Sequence, residues 1–236
     1  IRPDVEVVAP VANNGTGFIT LYAVDPTTNA PTKLALTVSI PGDHSVTGLV
    51  FSTTSASSFN GDLFLFVSED GTVSGWRGAL GTAAETLQTG STINVYKGVT
   101  EGTIGANSYL YAANFRSGHI DVTKGTLGAP SLPGNFTDPT LPSGYAPFNI
   151  QNIGGQLYVT YALQDAAKHD AVPGPGHGFV TKFDLSGNFV ARLISGGLLN
   201  SPWGLALAPG NFGDLSNALL VGNFGDGTIN AFNPST

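Results

Sequence analysis

The chain contains neither cysteine nor methionine. The missing thiols exclude a disulfide framework, a thiol nucleophile and a thiolate metal site. Because methionine is missing from the first position too, Ile1 is not a translation start, and a processed, excised or partial chain is expected. Charge is scarce, at 11% of residues, which argues against a disordered chain and against long solvated helices. Lys and Arg number 9 against 16 Asp and Glu, for a net charge of -7. No basic run exists, so nucleic acid is not expected as a partner. No apolar run reaches the roughly 18 residues of a membrane span, and no signal peptide remains.

What the chain does hold is 32 Gly and 15 Pro spread between short apolar runs, the punctuation of many turns. One pattern recurs five times: Gly, any residue, Ile or Val, two residues, then usually an aromatic. The copies begin at Gly17, Gly71, Gly118, Gly178 and Gly227, at spacings of 54, 47, 60 and 49 residues. A second apolar run precedes each of the last four copies: 63–67, 109–112, 157–161 and 218–221. Each pair reads as a hairpin. Phe189–Ile194 reads as a further strand, and Ser201–Leu207 leads into the next hairpin. The unit is therefore about four strands in 47–60 residues, the size of a propeller blade. A β-sandwich predicts no such long-range repeat. The expected fold is all-β, a β-propeller of four-stranded blades forming a single domain over residues 1–236. Five blade repeats are visible, and a six-bladed ring is expected if the chain is incomplete. Asp4–Val8 alternates and reads as a strand closing the ring.

The segments Ala146–Gly155, Leu157–Ala162, Asn200–Leu207 and Leu220–Gly227 resemble a family of uncharacterised, secreted bacterial and fungal propeller proteins, distantly similar to NHL-repeat proteins. The resemblance covers nearly the whole chain and is most specific in its last hundred residues. It implies a propeller and secretion, but no activity and no catalytic residue.

Three groups of residues are candidate sites. The segment Gln164–Gly178 accounts for most of the excess of the longest repeat interval, 60 residues against 47, and holds Gln164, Asp165, His169, Asp170 and His177. Insertions in repeat proteins map to one face, often the binding face, and carboxylates beside imidazoles suit divalent cations. The plainer reading is a solvated loop. Second, Asn13, Asn114 and Asn223 each sit four residues before the motif Gly. With Asp226 and Glu69 nearby, they form a candidate polar ring for Ca²⁺ or sugar hydroxyls, the metal set being Asn114, Asn223 and Asp226. The plainer reading is Asn side chains bonding their own turns. Third, His44, Tyr96, Lys97, Phe148, Asn149 and Trp203 lie on strands that begin blades. They either line a central channel or pack between blades. Asn14-Gly15-Thr16 and Asn135-Phe136-Thr137 match the N-glycosylation pattern.

The sequence has no Gly-x-Ser-x-Gly elbow, His-Glu-x-x-His or P-loop. The expectation is a secreted module that binds a carbohydrate, small molecule or protein, and enzymatic activity is not favoured. The alternative is a Ca²⁺-dependent, lactonase-like hydrolase acting at the channel. A purely structural surface protein is the third possibility.

Overall fold

The structure, a computed structural model, describes residues 7–234. Five antiparallel sheets follow one another along the chain. The first holds β1 (Val7–Asn13), β2 (Phe18–Val24) and β3 (Pro31–Ser39). The second holds β4 (Val46–Phe51), β5 (Phe64–Ser68), β6 (Val73–Trp76) and β7 (Glu85–Gln88). The third holds β8 (Tyr96–Ile104), β9 (Asn107–Asn114) and β10 (His119–Lys124). The fourth holds β11 (Tyr145–Ile153), β12 (Gln156–Leu163), β13 (Phe179–Asp184) and β14 (Phe189–Ser195). The fifth holds β15 (Pro202–Leu207), β16 (Leu219–Asn223) and β17 (Ile229–Phe232). Strands are paired in chain order within every sheet. The innermost strands β4, β8, β11 and β15 pack on one another in succession. This is a β-propeller.

The four-stranded unit is complete in the second and fourth sheets. In the first, β1 stands where the other blades have their second strand. Asn13 ends β1 and pairs with Phe18, as Asn114 ends β9 and pairs with His119. Val7 and Val8 pair with Val24 and Ala23 inside this sheet, so they close no ring with the last blade. Asp4, Val5 and Glu6 of that expected strand lie outside the described residues.

The central strands are buried on both faces, which is why β5, β9 and β12 read as near-continuous apolar runs. Each boundary between consecutive blades has its own cluster. Ile19 and Val38 meet Phe66 and Trp76 between the first two blades, and Leu65 and Val67 meet Val99 and Leu110 between the next two. Tyr109 and Tyr111 meet Leu157 and Phe183, and Tyr158 and Val180 meet Leu219 and Val221. The motif glycine turns the hairpin: Gly118 has φ 79°, where a side chain would strain the backbone.

Gly75 serves a different purpose. A Cβ there would lie 2.0 Å from Oδ2 of Asp62, so the missing side chain makes room for a buried carboxylate. Asp62 accepts a bond from Arg77 Nη1 at 2.8 Å through Oδ1, while Oδ2 has no hydrogen-bond partner. Arg77 is shared with Glu85 at 2.6 Å. Burial pushes the Asp62 carboxyl up to about 6, against the pull of Arg77. A carboxyl whose folded pKa exceeds its unfolded value destabilises the fold when ionised. Stability from this group is therefore present below about pH 4 and is lost as pH rises toward 6. Removing it in Asp62→Asn is expected to take away a stability change on the order of 2 kcal/mol across that window. Urea unfolding of both proteins at pH 4 and 6.5 measures it; parallel pH profiles would contradict the assignment.

Candidate axial binding site

All five blades line one cavity of about 520 Å³. A space bordered by every blade lies on the propeller axis, at the end where the hairpin turns of the second and third strands gather. Its wall is built by a repeated device. In each innermost strand one partner residue is opposed by two, a β-bulge. The register shifts between Val46 and Gly48, Tyr96 and Val99, Pro147 and Asn149, and Pro202 and Gly204. Bulges re-aim side chains that a regular ladder would place elsewhere. Here they fall at Thr47, Lys97, Phe148 and Trp203, and all four line the cavity.

These residues split the wall in two. Phe148 and Trp203 meet edge to face at 4.8 Å between centroids, and Phe224 stands 6.0 Å from Phe148 and 6.5 Å from Trp203. Phe148 is buried, whereas Trp203 is half-buried and Phe224 is exposed at the mouth. Opposite them lies a charged edge. Lys97 is almost fully buried and its Nζ is paired with Glu69. The same Nζ lies 3.5 Å from Asp170 Oδ1. Asp170 Oδ1 is 3.2 Å from His169 Nδ1, and His169 Nε2 is 4.0 Å from Glu69 Oε2. Burying a charge requires such partners.

The insertion in the fourth blade delivers this edge. Gln164 bridges to Ala171, and its Nε2 donates to the Phe115 carbonyl of the third blade. Asp165 accepts the backbone N–H of His169 at 2.8 Å. That bond, with the Asp170 N–H, holds the Asp165 carboxyl below its ordinary range. The folded tip then carries His169 and Asp170 toward the axis. Ala171 also lines the cavity.

The remaining expected residues hold the frame. Asn149 Nδ2 donates to the Trp203 carbonyl at 2.7 Å, and Thr47, which no sequence pattern marks, donates from Oγ1 to the Tyr96 carbonyl at 2.8 Å. Each bond ties one blade to the next beside a bulge. The Tyr96 hydroxyl donates to Asp121 at 2.9 Å. His177 Nδ1 lies 3.1 Å from the Val172 carbonyl, inside the insertion. His44 adopts φ 74° and packs on Gly17. Asn114 and Asn223 are clamps: each Oδ1 accepts the backbone N–H entering the innermost strand of its blade, from Val95 at 3.2 Å and Asn200 at 3.0 Å. Their Nδ2 groups donate to Asn94 and Asp121, and to Leu198 and Thr228. Asp226 accepts from Thr228, whose hydroxyl and N–H hold its carboxyl below the ordinary range. Asn114, Asn223 and Asp226 are thus each engaged in bonds within their own blades. The described residues that do bring ligand-type atoms together are Glu69, His169 and Asp170, within 4.8 Å of one another. There the Lys97 ammonium already stands against both carboxylates.

A second hollow of about 700 Å³ opens between the second and third blades, and Glu69 and His169 line it too.

No family model matches the chain. An uncharacterised protein of Acanthamoeba polyphaga mimivirus, R648, is 36% identical over 225 residues, covering 92% of this chain and 53% of that protein. A second from the same virus, L690, is 37% identical over 187 residues, covering 77% of this chain and 50% of that protein. The chain spans about half the length of these curated relatives. Among solved structures, the α-L-arabinanase of Penicillium chrysogenum complexed with arabinobiose matches with a TM-score of 0.58. The match covers 99% of this chain and 76% of that one at 11% identity. The likeness is one of fold. It bears out the propeller expected from the repeat. Among the described residues, no helix is long and apolar enough to cross a membrane.

Proposed function

We propose that this propeller binds a saccharide in its axial cavity, as a secreted recognition module. The observation that carries this reading is the divided wall: Phe148, Trp203 and Phe224 facing Glu69, Lys97 and Asp170. A sugar ring has an apolar C–H face and a hydroxyl edge. Aromatic rings take the first, and charged groups form strong hydrogen bonds with the second. A few polar groups converging on an apolar wall, in a cavity of this size, is the usual form of a small-molecule site. The edge carries two carboxylates to one ammonium, so neutral sugars fit better than acidic ones. The arabinanase that shares the fold was crystallised with a disaccharide, which supports the choice of ligand class.

Binding is favoured over hydrolysis by Lys97. Its ammonium meets both carboxylates, which are thereby taken up as partners of one cation rather than left to flank a scissile bond, as glycoside cleavage needs. A glycan array followed by titration calorimetry tests the reading, with arabinobiose among the first ligands. Saturable binding of a neutral glycan, without release of reducing ends, is expected. An array with no retained glycan would remove the proposal.

A further inference from the structure

Glu69 lines both the axial cavity and the hollow beside it, and we infer that the two spaces form one track for a linear oligosaccharide bound end-on, its terminal ring on the axis and its following rings between the second and third blades. The inference rests on the saccharide reading and extends it. Glu69 lines both spaces, and the adjacent residues His169 and Asp170 divide between them, His169 on the hollow and Asp170 on the cavity. Their shared border is Glu69, with His169 and Asp170 beside it. A chain leaving the axis crosses that border beside Glu69 and His169.

The second space differs from the first in chemistry. Its lining has no Phe, Tyr or Trp; it offers the hydroxyls of Thr86, Thr89 and Thr92 and the carboxylates of Asp43 and Asp70. Thr86, Thr89 and Thr92 are exposed. Arg116 braces the border, donating from Nη1 to the Thr92 carbonyl at 2.7 Å. The floor is backbone laid close: a Cβ on Gly90 would lie 2.6 Å from the Asp70 carbonyl. Stacking is thus confined to the axial end, and hydroxyl recognition continues along the hollow. A free monosaccharide uses the first space and leaves the second unused, whereas a longer chain uses both.

Titration calorimetry with the arabino-, xylo- and cello-oligosaccharides of two and six sugar units reads this directly. In the series that binds, the hexamer is expected to bind at least tenfold tighter than the dimer. Thr89→Trp fills the hollow from an exposed position. It is expected to cost the hexamer its advantage over the dimer while leaving the melting temperature unchanged. Equal affinity for both lengths, or a hexamer advantage that survives Thr89→Trp, overturns the inference and leaves the saccharide site standing. If neither length in any of the three series binds, and the array is blank as well, both readings fall together.

Discussion

Asp138→Ala is expected to lower the unfolding free energy by about 3–5 kcal/mol, the cost of stripping one partner from a buried ion pair. For a chain of this length that is a fall of roughly 10 °C in melting temperature. Asp138 lies in the connection between β10 and β11, with its carboxylate wholly buried. Arg192 grips it with both arms, Nη2 to Oδ1 at 2.7 Å and Nε to Oδ2 at 2.8 Å. The Thr181 hydroxyl donates at 2.7 Å and the Thr140 N–H at 3.1 Å. Arg192 also lies over the Phe179 ring at 4.9 Å, so the pair joins the connection to β13 and β14. Burial alone would raise the Asp138 carboxyl, but the bonds from Thr181 and Arg192 outweigh it and hold the group below its ordinary range. Its contribution is therefore present above about pH 4 and is lost as pH falls further, opposite in sign to that of Asp62. The double replacement Asp138→Leu with Arg192→Met is expected to recover much of the loss, because an apolar pair leaves no stranded charge. Guanidinium unfolding of the two variants and the parent decides. A single variant as stable as the parent would show that the pair carries no stability.

Trp203→Ala is expected to weaken saccharide binding at least 30-fold, the range of a hot-spot aromatic, about 2 kcal/mol. Trp203 is half-buried, so the variant loses less than the about 3–5 kcal/mol of a fully buried ring and stays folded. Trp203→Phe keeps an aromatic face and is expected to retain part of the affinity. Asn149→Ala touches the same bulge from behind by removing the bond to the Trp203 carbonyl. It is expected to weaken binding through position, with a smaller loss than Trp203→Ala. Calorimetry against an array-selected glycan, together with thermal melts, measures both. Undiminished binding by Trp203→Ala would place the ligand elsewhere.

The repeat was legible because blade faces are buried on both sides, and burial of that kind writes itself into sequence as recurrent apolar runs. The strands Phe189–Ser195 and Pro202–Leu207 stand within a residue or two of where the pattern places them. Lys97, Phe148, Trp203, His169 and Asp170 were all singled out, from two separate arguments, and the cavity and its rim bring these together. The turn asparagines show where pattern reading stops. Asn13 and Asn223 were noticed because they repeat, yet the residue after each, Asn14 and Phe224, lines the cavity. Side chains along a strand alternate in direction, so the neighbour of a repeated clamp points the other way. Glu69 holds that place in the second blade, after Ser68. Those positions vary between blades, as a binding wall requires, and so carry no repeat. The pairing of Glu69 with Lys97, 28 residues away, depends on the close approach of two blades, which no local spacing encodes.

The bulges also bear on how such a pocket is retuned. Each adds one residue near the start of its inner strand, and the ladder resumes beyond it. The pocket therefore has an address on each complete inner strand, occupied here by Thr47, Lys97, Phe148 and Trp203. An exchange at Phe148 or Trp203 alters the lining without breaking the bonds that Thr47 and Lys97 make. Ligand choice is thus a short word spelled one letter per blade, and neighbouring letters can drift independently while the propeller persists.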